Sequence, residues 1–235
     1  FDKDNDLDLF FGGRVTPELY PAATHSLLYQ NNNGYFPFVN DKLAPELYNL
    51  GLVTDAVWAD YNLDKQPDLI VVGEWMPITI FTAIATDKGI QFEASIDLFG
   101  GEKTNGWWHT IASADIDKDG DLDFIVGNHG VNCDLKASQD EPIELYLNDF
   151  DGNKSLDHIY TYYNKGENYP FASKNELIKQ MAGIKNQFVK NKDFVEKKVE
   201  DIFKAKDLNT AVRQKVYQLE SVYIENLGNG QFKTH

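Results

Sequence analysis

The sequence of 235 residues is poor in cysteine, in basic side chains and in long apolar runs. Its single cysteine, Cys133, excludes an internal disulfide framework and a cysteine-rich zinc site. Basic residues number 22 against 37 acidic ones, and the net charge of −15 argues against nucleic acid or an anionic membrane as the main partner. No stretch approaches the roughly 18 apolar residues of a bilayer-spanning helix, so we expect no membrane insertion.

The chain also lacks the short motifs of common catalytic sites. It contains no Gly-x-Ser-x-Gly, no His-Glu-x-x-His and no phosphate-binding glycine loop. A hydrophobic fraction of 42% is nevertheless enough for a packed core. Because the sequence opens at Phe1 inside an acidic motif, we interpret it as a fragment of a longer protein.

Internal repetition is the most informative feature of the sequence. In four segments, acidic or amide residues at alternate positions run directly into a short apolar stretch. The candidate metal ligands are Asp2, Asp4 and Asp8 in the first segment; Asp60, Asn62, Asp64 and Asp68 in the second; Asp115, Asp117, Asp119, Asp121 and Asp123 in the third; and Asp149, Asp151, Asn153 and Asp157 in the fourth.

This spacing predicts a cation site in each loop. Carboxylates at alternate positions of a tight loop converge, and two of them about 4 Å apart repel by roughly 4 kcal/mol at an effective dielectric constant near 20. Hard oxygen ligands in this number favour calcium over magnesium or zinc. In the third loop we expect Asp121 to bind through its backbone carbonyl and the other four acids through their side chains, with Gly120 permitting the turn.

Two alternative interpretations of the loops were considered. An EF-hand requires a bidentate Glu at the twelfth position, but Val71, Val126 and Tyr160 stand there, each within an apolar stretch. The second alternative is that the acidic residues are ordinary turn formers without metal. It is strongest for the second loop, where Lys65 and Pro67 replace favourable residues, and the fourth loop has Lys154 where glycine is preferred.

A second pattern alternates with the loops, in which a short strand, a polar turn containing glycine and a phenylalanine follow one another. It occurs at 27–36 and at 223–232, and more loosely at 78–92. Each repeat therefore predicts four antiparallel strands, which form one blade of a β-propeller. In the second repeat the strands are expected at about 54–59, 68–74, 78–83 and 90–94.

The segment 173–219 departs from this pattern because its apolar residues recur at helical spacing. Ser173 and Glu176 predict a capping box at the start of a first helix, in which Leu177, Met181, Ile184 and Phe188 lie on one face. A second helix is expected to contain Val195, Val199, Ile202 and Phe203, and a third Val212, Val216 and Leu219. We therefore predict an all-β fold with a helical insertion. The expected blades cover about 1–50, 51–105, 106–142 and 143–235, with the insertion inside the fourth blade and the hairpin at 223–232 completing it.

The acidic loop followed by an apolar strand, together with the hairpin pattern, resembles the FG-GAP or VCBS repeat of integrin-alpha-type propellers. The segment from Gly106 to Gly130 and the Lys-rich helices are similar to bacterial surface proteins related to cartilage acidic protein. The resemblance implies a propeller of about seven blades, of which some four are present here, and export to the cell surface or periplasm. The rest of the propeller would lie elsewhere in the parent chain.

Two functions follow as hypotheses. The first is a noncatalytic, calcium-binding extracellular scaffold for adhesion or for binding a protein or glycan ligand. The second is a polysaccharide lyase or another carbohydrate-active enzyme built on a propeller. In that case His109 or His129 beside the third loop would abstract a proton, while Trp107, Trp108 and Tyr163 would stack on sugars.

Overall fold

The computed structural model describes residues 1–17, 20–87 and 89–235. The strands are β1 (Leu9–Phe11), β2 (Leu27–Tyr29), β3 (Leu52–Ala59), β4 (Asp68–Met76), β5 (Thr79–Thr86), β6 (Gly89–Ser95), β7 (Gly106–Ala114), β8 (Asp123–Asn128), β9 (Ile143–Asn148), β10 (Asp157–Asn164), β11 (Glu167–Pro170), β12 (Val212–Val216), β13 (Val222–Asn226) and β14 (Phe232–Thr234). The helices are α1 (Asn40–Leu43), α2 (Lys174–Gln180), α3 (Ile184–Gln187), α4 (Val199–Ile202) and α5 (Ala205–Thr210), and short 3-10 segments cover Pro45–Asn49, Asp97–Phe99, Gly101–Thr104 and Asn191–Asp193.

The chain divides into two compact units. The first comprises Phe1–Gly130 and Leu219–His235, and the second comprises Val131–Gln218. Within the described ranges, every helix is too short or too polar to cross a bilayer.

The second repeat forms a four-stranded antiparallel meander of β3, β4, β5 and β6. Its strands lie where the sequence predicted them, although Lys88 of the predicted turn is outside the described residues. β4 reads as an unbroken apolar run because both of its faces are buried. Ile70 and Val72 pack into one hydrophobic cluster, while Leu69 and Val71 pack into another.

The third repeat is a second four-stranded meander, in the order β7, β8, β13 and β14. The hairpin of β13 and β14 was expected to complete the fourth blade, but Val222 and Ile224 pair instead with Val126 and Phe124 of β8. In the sequence, the second unit is therefore an insertion between β8 and β13, two strands that pair directly with each other. Local sequence patterns specify the hairpin itself, but the partner strand is chosen by packing, since Ile224 joins the cluster around Trp108.

The first repeat is shorter. β1 pairs with β2, which extends through a turn to an isolated bridge between Tyr29 and Phe38. The turn reverses at Asn33 and Gly34, whose φ angles are 55° and 88°. These positive values explain why Asn and Gly stand there.

The second unit contains a separate sheet in the order β12, β9, β10 and β11. The segment with Val212 and Val216 was predicted to be helical, and that prediction is wrong because the segment is strand β12. An apolar spacing of four fits either structure. The strand is selected because it places Arg213 and Lys215 on one face, where both form ion pairs with the buried Glu144 of β9.

The predicted helical start at Ser173 is confirmed. The Ser173 side chain accepts from the Glu176 N–H, and the Glu176 carboxylate accepts from the Ser173 N–H. The helix is shorter than expected, since it ends at Met181 and a second short helix begins at Ile184. Taken by its elements, the chain is mostly β, and its antiparallel four-stranded units are those of a partial β-propeller, as the sequence predicted.

Candidate metal centre

All four acidic loops share one backbone conformation. We number their positions from Asp60, Asp115 and Asp149 at position 1; in the first loop, Phe1 falls at position 2. The residues at positions 4 and 6 all have positive φ angles between 60° and 103°. These residues are Lys3 and Asn5, Leu63 and Lys65, Lys118 and Gly120, and Gly152 and Lys154. Only two of these eight are glycines, so each loop holds at least one side chain in a conformation that L-residues disfavour by about 1 kcal/mol or more.

Side-chain hydrogen bonds within each loop stabilise this conformation. In every loop the side chain at position 3 accepts from the backbone N–H at position 5, and the side chain at position 5 accepts from the N–H at position 7. In the third loop, Asp117 accepts from Asp119, and Asp119 accepts from Asp121, both at 3.2 Å. Each such bond uses one carboxylate or amide oxygen, so one oxygen of each side chain points along the loop.

Position 9 has a structural role that the sequence did not reveal. Asp123, which is fully buried, accepts from the N–H of Ile116, from the N–H of Asn226 and from the hydroxyl of Tyr223, at 3.0, 2.9 and 3.1 Å. It was predicted to be a side-chain metal ligand. The structure shows that both of its oxygens already fasten the loop to strand β13.

The same fastening recurs in the other repeats of the first unit. Asp68 accepts from the N–H of Ala83 in β5 at 2.8 Å, and Asp8 accepts from the N–H of Asn31, just after β2, also at 2.8 Å. In each case, the ninth residue ties its loop to the third strand of the repeat. The signal in the sequence is that position 9 is aspartate in all four loops, whereas position 5 also admits asparagine.

Carboxylate oxygens converge in the third and fourth loops. One oxygen each from Asp115, Asp117 and Asp119 lies within 4.8 Å of the others, and all three residues are exposed. The fourth loop brings together Asp149, Asp151 and Asp157 in the same way. Among the described residues, the first and second loops do not form such a group, so Asp2, Asp4, Asp60 and Asp64 are not joined by a third converging carboxylate.

Hydrogen bonds hold the two asparagines among the predicted ligands within their loops. Asn62 accepts from the Asp64 N–H and donates to the Asp64 carboxylate, while Asn153 accepts from the Ser155 N–H. Two loops have a lysine at position 6, and it contributes a backbone hydrogen bond to the loop. The N–H groups of Lys65 and Lys154 donate to the carboxylates at position 1. Both lysines therefore adopt the loop conformation in place of glycine.

Several buried carboxylate oxygens in these loops have no hydrogen-bond partner. They are Asp6 Oδ1, Asp60 Oδ1, Asp68 Oδ2 and Asp121 Oδ1. Buried polar atoms are nearly always satisfied, and an unsatisfied carboxylate oxygen is more costly than a neutral one. Asp121 was expected to contribute its backbone carbonyl, but its side chain is itself buried. Each loop of the first unit thus contains at least one oxygen atom that needs a positively charged or donating partner.

The crowding of acids changes their titration. Burial, followed by the negative charges of Asp119, Asp123 and Asp117, raises the pKa of Asp121 to about 6. Burial, and then Asp64 and Asp60, raises the pKa of Asp68 to about 6. Because these shifts disfavour the charged form, a bound cation is the natural means of restoring it.

The fourth and first loops each also contain an aspartate with a raised pKa. Burial and the neighbouring Asp151 and Asp149 raise the pKa of Asp157. In the first loop, burial and then Asp4 raise the pKa of Asp6, which is not among the metal ligands predicted from the sequence. In each of the four loops, therefore, at least one carboxyl group has a pKa above its ordinary value, with burial as the main cause.

The histidines of the lyase hypothesis lie elsewhere. The His109 and His129 rings are 6.3 Å apart, and the His129 ring contacts Trp107 edge-on at 5.3 Å. His109 precedes Asp115 by six residues of an extended strand, which is about 20 Å. His129 follows β8, at the end of that strand opposite to Asp123. These histidines therefore do not flank the third loop as the hypothesis required.

The fold and the loops together define a β-propeller-type repeat protein. Residues 60–126 match the family model of the FG-GAP-like repeat, which confirms the resemblance seen in the motifs. The matched segment begins at position 1 of the second loop and runs through β4 to β8, so it contains the complete third loop. No curated protein matches the chain.

Proposed function

We propose that this protein is a calcium-binding, extracellular and noncatalytic repeat scaffold that presents loops for ligand binding or adhesion. The proposal rests above all on buried carboxylate oxygens without a partner, which recur in loops of one conformation. Turn formation alone requires one side-chain oxygen at positions 3 and 5. It does not require further carboxylates that repel one another and lose solvation.

The donor set favours calcium over other cations. Every candidate ligand side chain is a carboxylate or a primary amide, and no histidine or cysteine joins the clusters found in the described part of the chain. Calcium accepts six to eight oxygen ligands in flexible geometry, whereas magnesium demands a regular octahedron and zinc prefers nitrogen or sulfur. The oxygen-only ligand set of these loops therefore suits calcium.

In the third loop, Asp115, Asp117 and Asp119 would hold the ion, with Asp121 completing the set. In the fourth loop, Asp149, Asp151 and Asp157 would do so together with Asn153. When bound, calcium supplies the positive charge that offsets the repulsion among these groups. Asp8, Asp68 and Asp123, at position 9 of the three loops of the first unit, keep their hydrogen bonds to the third strand of the repeat or to the residue just after it.

The calcium affinity expected for the loops indicates the compartment in which the protein works. Extracellular calcium modules bind at about 10⁻⁴ to 10⁻³ M, which cytosolic calcium would leave empty. FG-GAP repeats are typically extracellular, and a net charge of −15 agrees with a protein that works among cations. The ligand of the scaffold is expected to be a protein or a glycan that meets the loops at one edge of the repeats.

Calcium titration tests this proposal. Thermal melts of the wild type should rise by several degrees between chelator and about 5 mM calcium, because binding to the folded state alone stabilises it. Magnesium at equal concentration should give a smaller rise. Asp119→Asn and Asp151→Asn should each reduce the calcium effect, whereas Asp140→Asn, at an exposed acid outside the loops, should leave it unchanged.

Calorimetric titration provides the second measurement and gives the number of ions bound. An unchanged melting temperature in calcium, or an equal response to magnesium, would contradict the proposal. A calcium effect that survives both loop substitutions would place the ion elsewhere.

A further inference from the structure

The second unit contains a groove of about 420 Å³ that no step of the calcium proposal uses. We call it the Lys174 groove, and its principal lining residues are Tyr162, Tyr169, Phe171, Lys174, Asn191 and Phe194. Its volume falls within the range of small-molecule sites, and its lining combines aromatic rings with a few polar groups, as such sites do.

Lys174 is the unusual residue of this groove. Its side chain belongs to a residue only 9% exposed, and its ammonium donates to the Val189 carbonyl at 3.1 Å and to Asn191 Oδ1 at 3.4 Å. Both acceptors are neutral. Within the described residues, no carboxylate lies within 4.0 Å of this ammonium, although the ion pairs of the neighbouring Lys198, Arg213 and Lys215 are formed.

A buried cation without an anionic partner is costly. The nearest acid in sequence, Glu176, does not form an ion pair with the ammonium; its carboxylate accepts from the Ser173 N–H at 2.7 Å in the capping box. The ammonium has three N–H donors and two protein acceptors, so one donor remains for a ligand.

Aromatic rings also line the groove. Tyr162 and Tyr169 are directly paired across β10 and β11, with ring centroids 6.1 Å apart. Phe171 contacts Tyr162 edge-on at 6.4 Å and is 55% exposed, although a phenylalanine gains by burial. Tyr162, Tyr169 and Phe171 together give the groove an aromatic lining that the apolar face of a ring-shaped ligand can contact.

We propose that the Lys174 groove binds a carboxylate-bearing sugar residue of an acidic glycan. The carboxylate would accept from the Lys174 ammonium, and the apolar face of the sugar ring would lie on Phe171 and Tyr169. The buried cation favours an anionic sugar over a neutral one. The aromatic surface favours a ring with a flat C–H face over a free carboxylate or an acidic side chain. This inference does not depend on calcium in the acidic loops.

The test uses a galacturonate trimer and its methyl ester, which have the same backbone but differ in charge. Calorimetric titration into the full chain, at one fixed calcium concentration, should show binding of the trimer and at least about tenfold weaker binding of the ester. Lys174→Met should weaken trimer binding by a similar factor. The ester should bind Lys174→Met and wild type equally, because both changes remove the same interaction.

Two further variants complete the design. Phe171→Ala should weaken both sugars, and because Phe171 is exposed, the variant should fold normally. Lys206→Met, at an exposed lysine of α5, should leave binding unchanged and controls for the net charge. Far-UV circular dichroism verifies that every variant is folded.

Several results would overturn the proposal. One is the absence of trimer binding by the wild type, and another is equal affinity for trimer and ester. Equal affinity for a blocked glutamate peptide would assign the groove to acidic side chains instead of sugars. Since none of these measurements depends on the calcium response of the melting temperature, failure here and failure of the calcium proposal are distinguishable.

Discussion

The Asp123 carboxylate accepts a hydrogen bond from the Asn226 N–H at 2.9 Å, although the two residues are 103 positions apart in the sequence. Asp123 closes the third acidic loop, and Asn226 ends β13. Asn226 in turn donates from its side chain to the Tyr61 carbonyl at 2.8 Å, at position 2 of the second loop. Asn226 at the end of β13 therefore forms hydrogen bonds with both the second and the third acidic loop. In the sequence, β13 follows the entire second unit.

The first prediction concerns Asp123. Replacing it by alanine removes the acceptor of the Asn226 and Ile116 N–H groups, and the buried donors left behind should lower the free energy of unfolding by about 3 kcal/mol. Urea unfolding in the presence of a chelator measures this effect without calcium. Tryptophan fluorescence reports it for the first unit, since all 4 tryptophans lie in Phe1–Gly130.

The exposed ligands of the same loop should behave in the opposite way, which is the second prediction. Asp119→Asn keeps an acceptor for the Asp121 N–H but removes one of the converging negative charges. In chelator, we expect equal or slightly higher stability than the wild type, by up to about 1 kcal/mol, because repulsion falls. In calcium, the variant should be the less stable protein. Destabilisation in chelator similar to that of Asp123→Ala would show that the two residues share one structural role.

The third prediction concerns backbone strain at position 6. Lys65 has a φ angle of 68° and Gly120 has a φ angle of 103°. Lys65→Gly should stabilise the first unit by about 0.5 to 1 kcal/mol, since glycine adopts this conformation without steric cost. Gly120→Ala should destabilise it by about 1 kcal/mol, although its new methyl group would meet no atom within 4 Å.

Urea unfolding followed by tryptophan fluorescence measures both effects, and the comparison contains its own control. Because the added methyl group of Gly120→Ala meets open space, any loss is due to φ alone. If Lys65→Gly lowered the stability, the positive φ angle at that position would not be a source of strain.

The fourth prediction concerns the ionic cluster of the second unit. Glu144 is fully buried and accepts from Arg213, Lys215, Tyr146 and Asn168. Removing both cations with an Arg213→Met and Lys215→Met double variant leaves a buried carboxylate without charge compensation, and we expect a loss of about 3 kcal/mol or more. Glu144→Gln should cost less, about 1 kcal/mol, because the two cations are partly exposed and can turn to water.

Hydrogen exchange of the β9 and β12 amides measures this asymmetry within the second unit, which has no tryptophan. Exchange in β3 and β4 serves as the control and should not change. A larger loss for Glu144→Gln than for the double variant would mean that hydrogen bonding, and not charge compensation, holds this cluster together.

The sequence predicted the strands and loops within a repeat better than the pairing of strands that are far apart in the chain. The four strands of the second repeat, the acidic loops and the Ser173 capping box follow from local residue order, so they could be recognised directly. The spacing of Val212 and Val216 was ambiguous between helix and strand, and the long-range ion pairs of Arg213 and Lys215 with Glu144 resolve it. No local pattern carries that information.

The candidate metal site shows the same difference between what local residue order predicts and what long-range contacts decide. Alternating acids predicted that Asp115, Asp117 and Asp119 converge, but among the described residues the same pattern gives no group of three converging carboxylates in the first and second loops. The sequence did not reveal the hydrogen bonds of Asp123 to Tyr223 and Asn226, because these donors lie 100 and 103 positions further along the chain. Such bonds depend on which donors the fold brings near.

By itself, the sequence determined the repeating loop and strand unit, the oxygen-rich character of each loop and the β-propeller class, because these depend on neighbours within about a dozen residues. Only the tertiary structure decided that β13 completes the third repeat, that β12 closes the sheet of the second unit and that Lys174 is buried without a counter-charge. These features join residues far apart in the chain, and their energies come from burial and pairing, which exist only once the chain has folded.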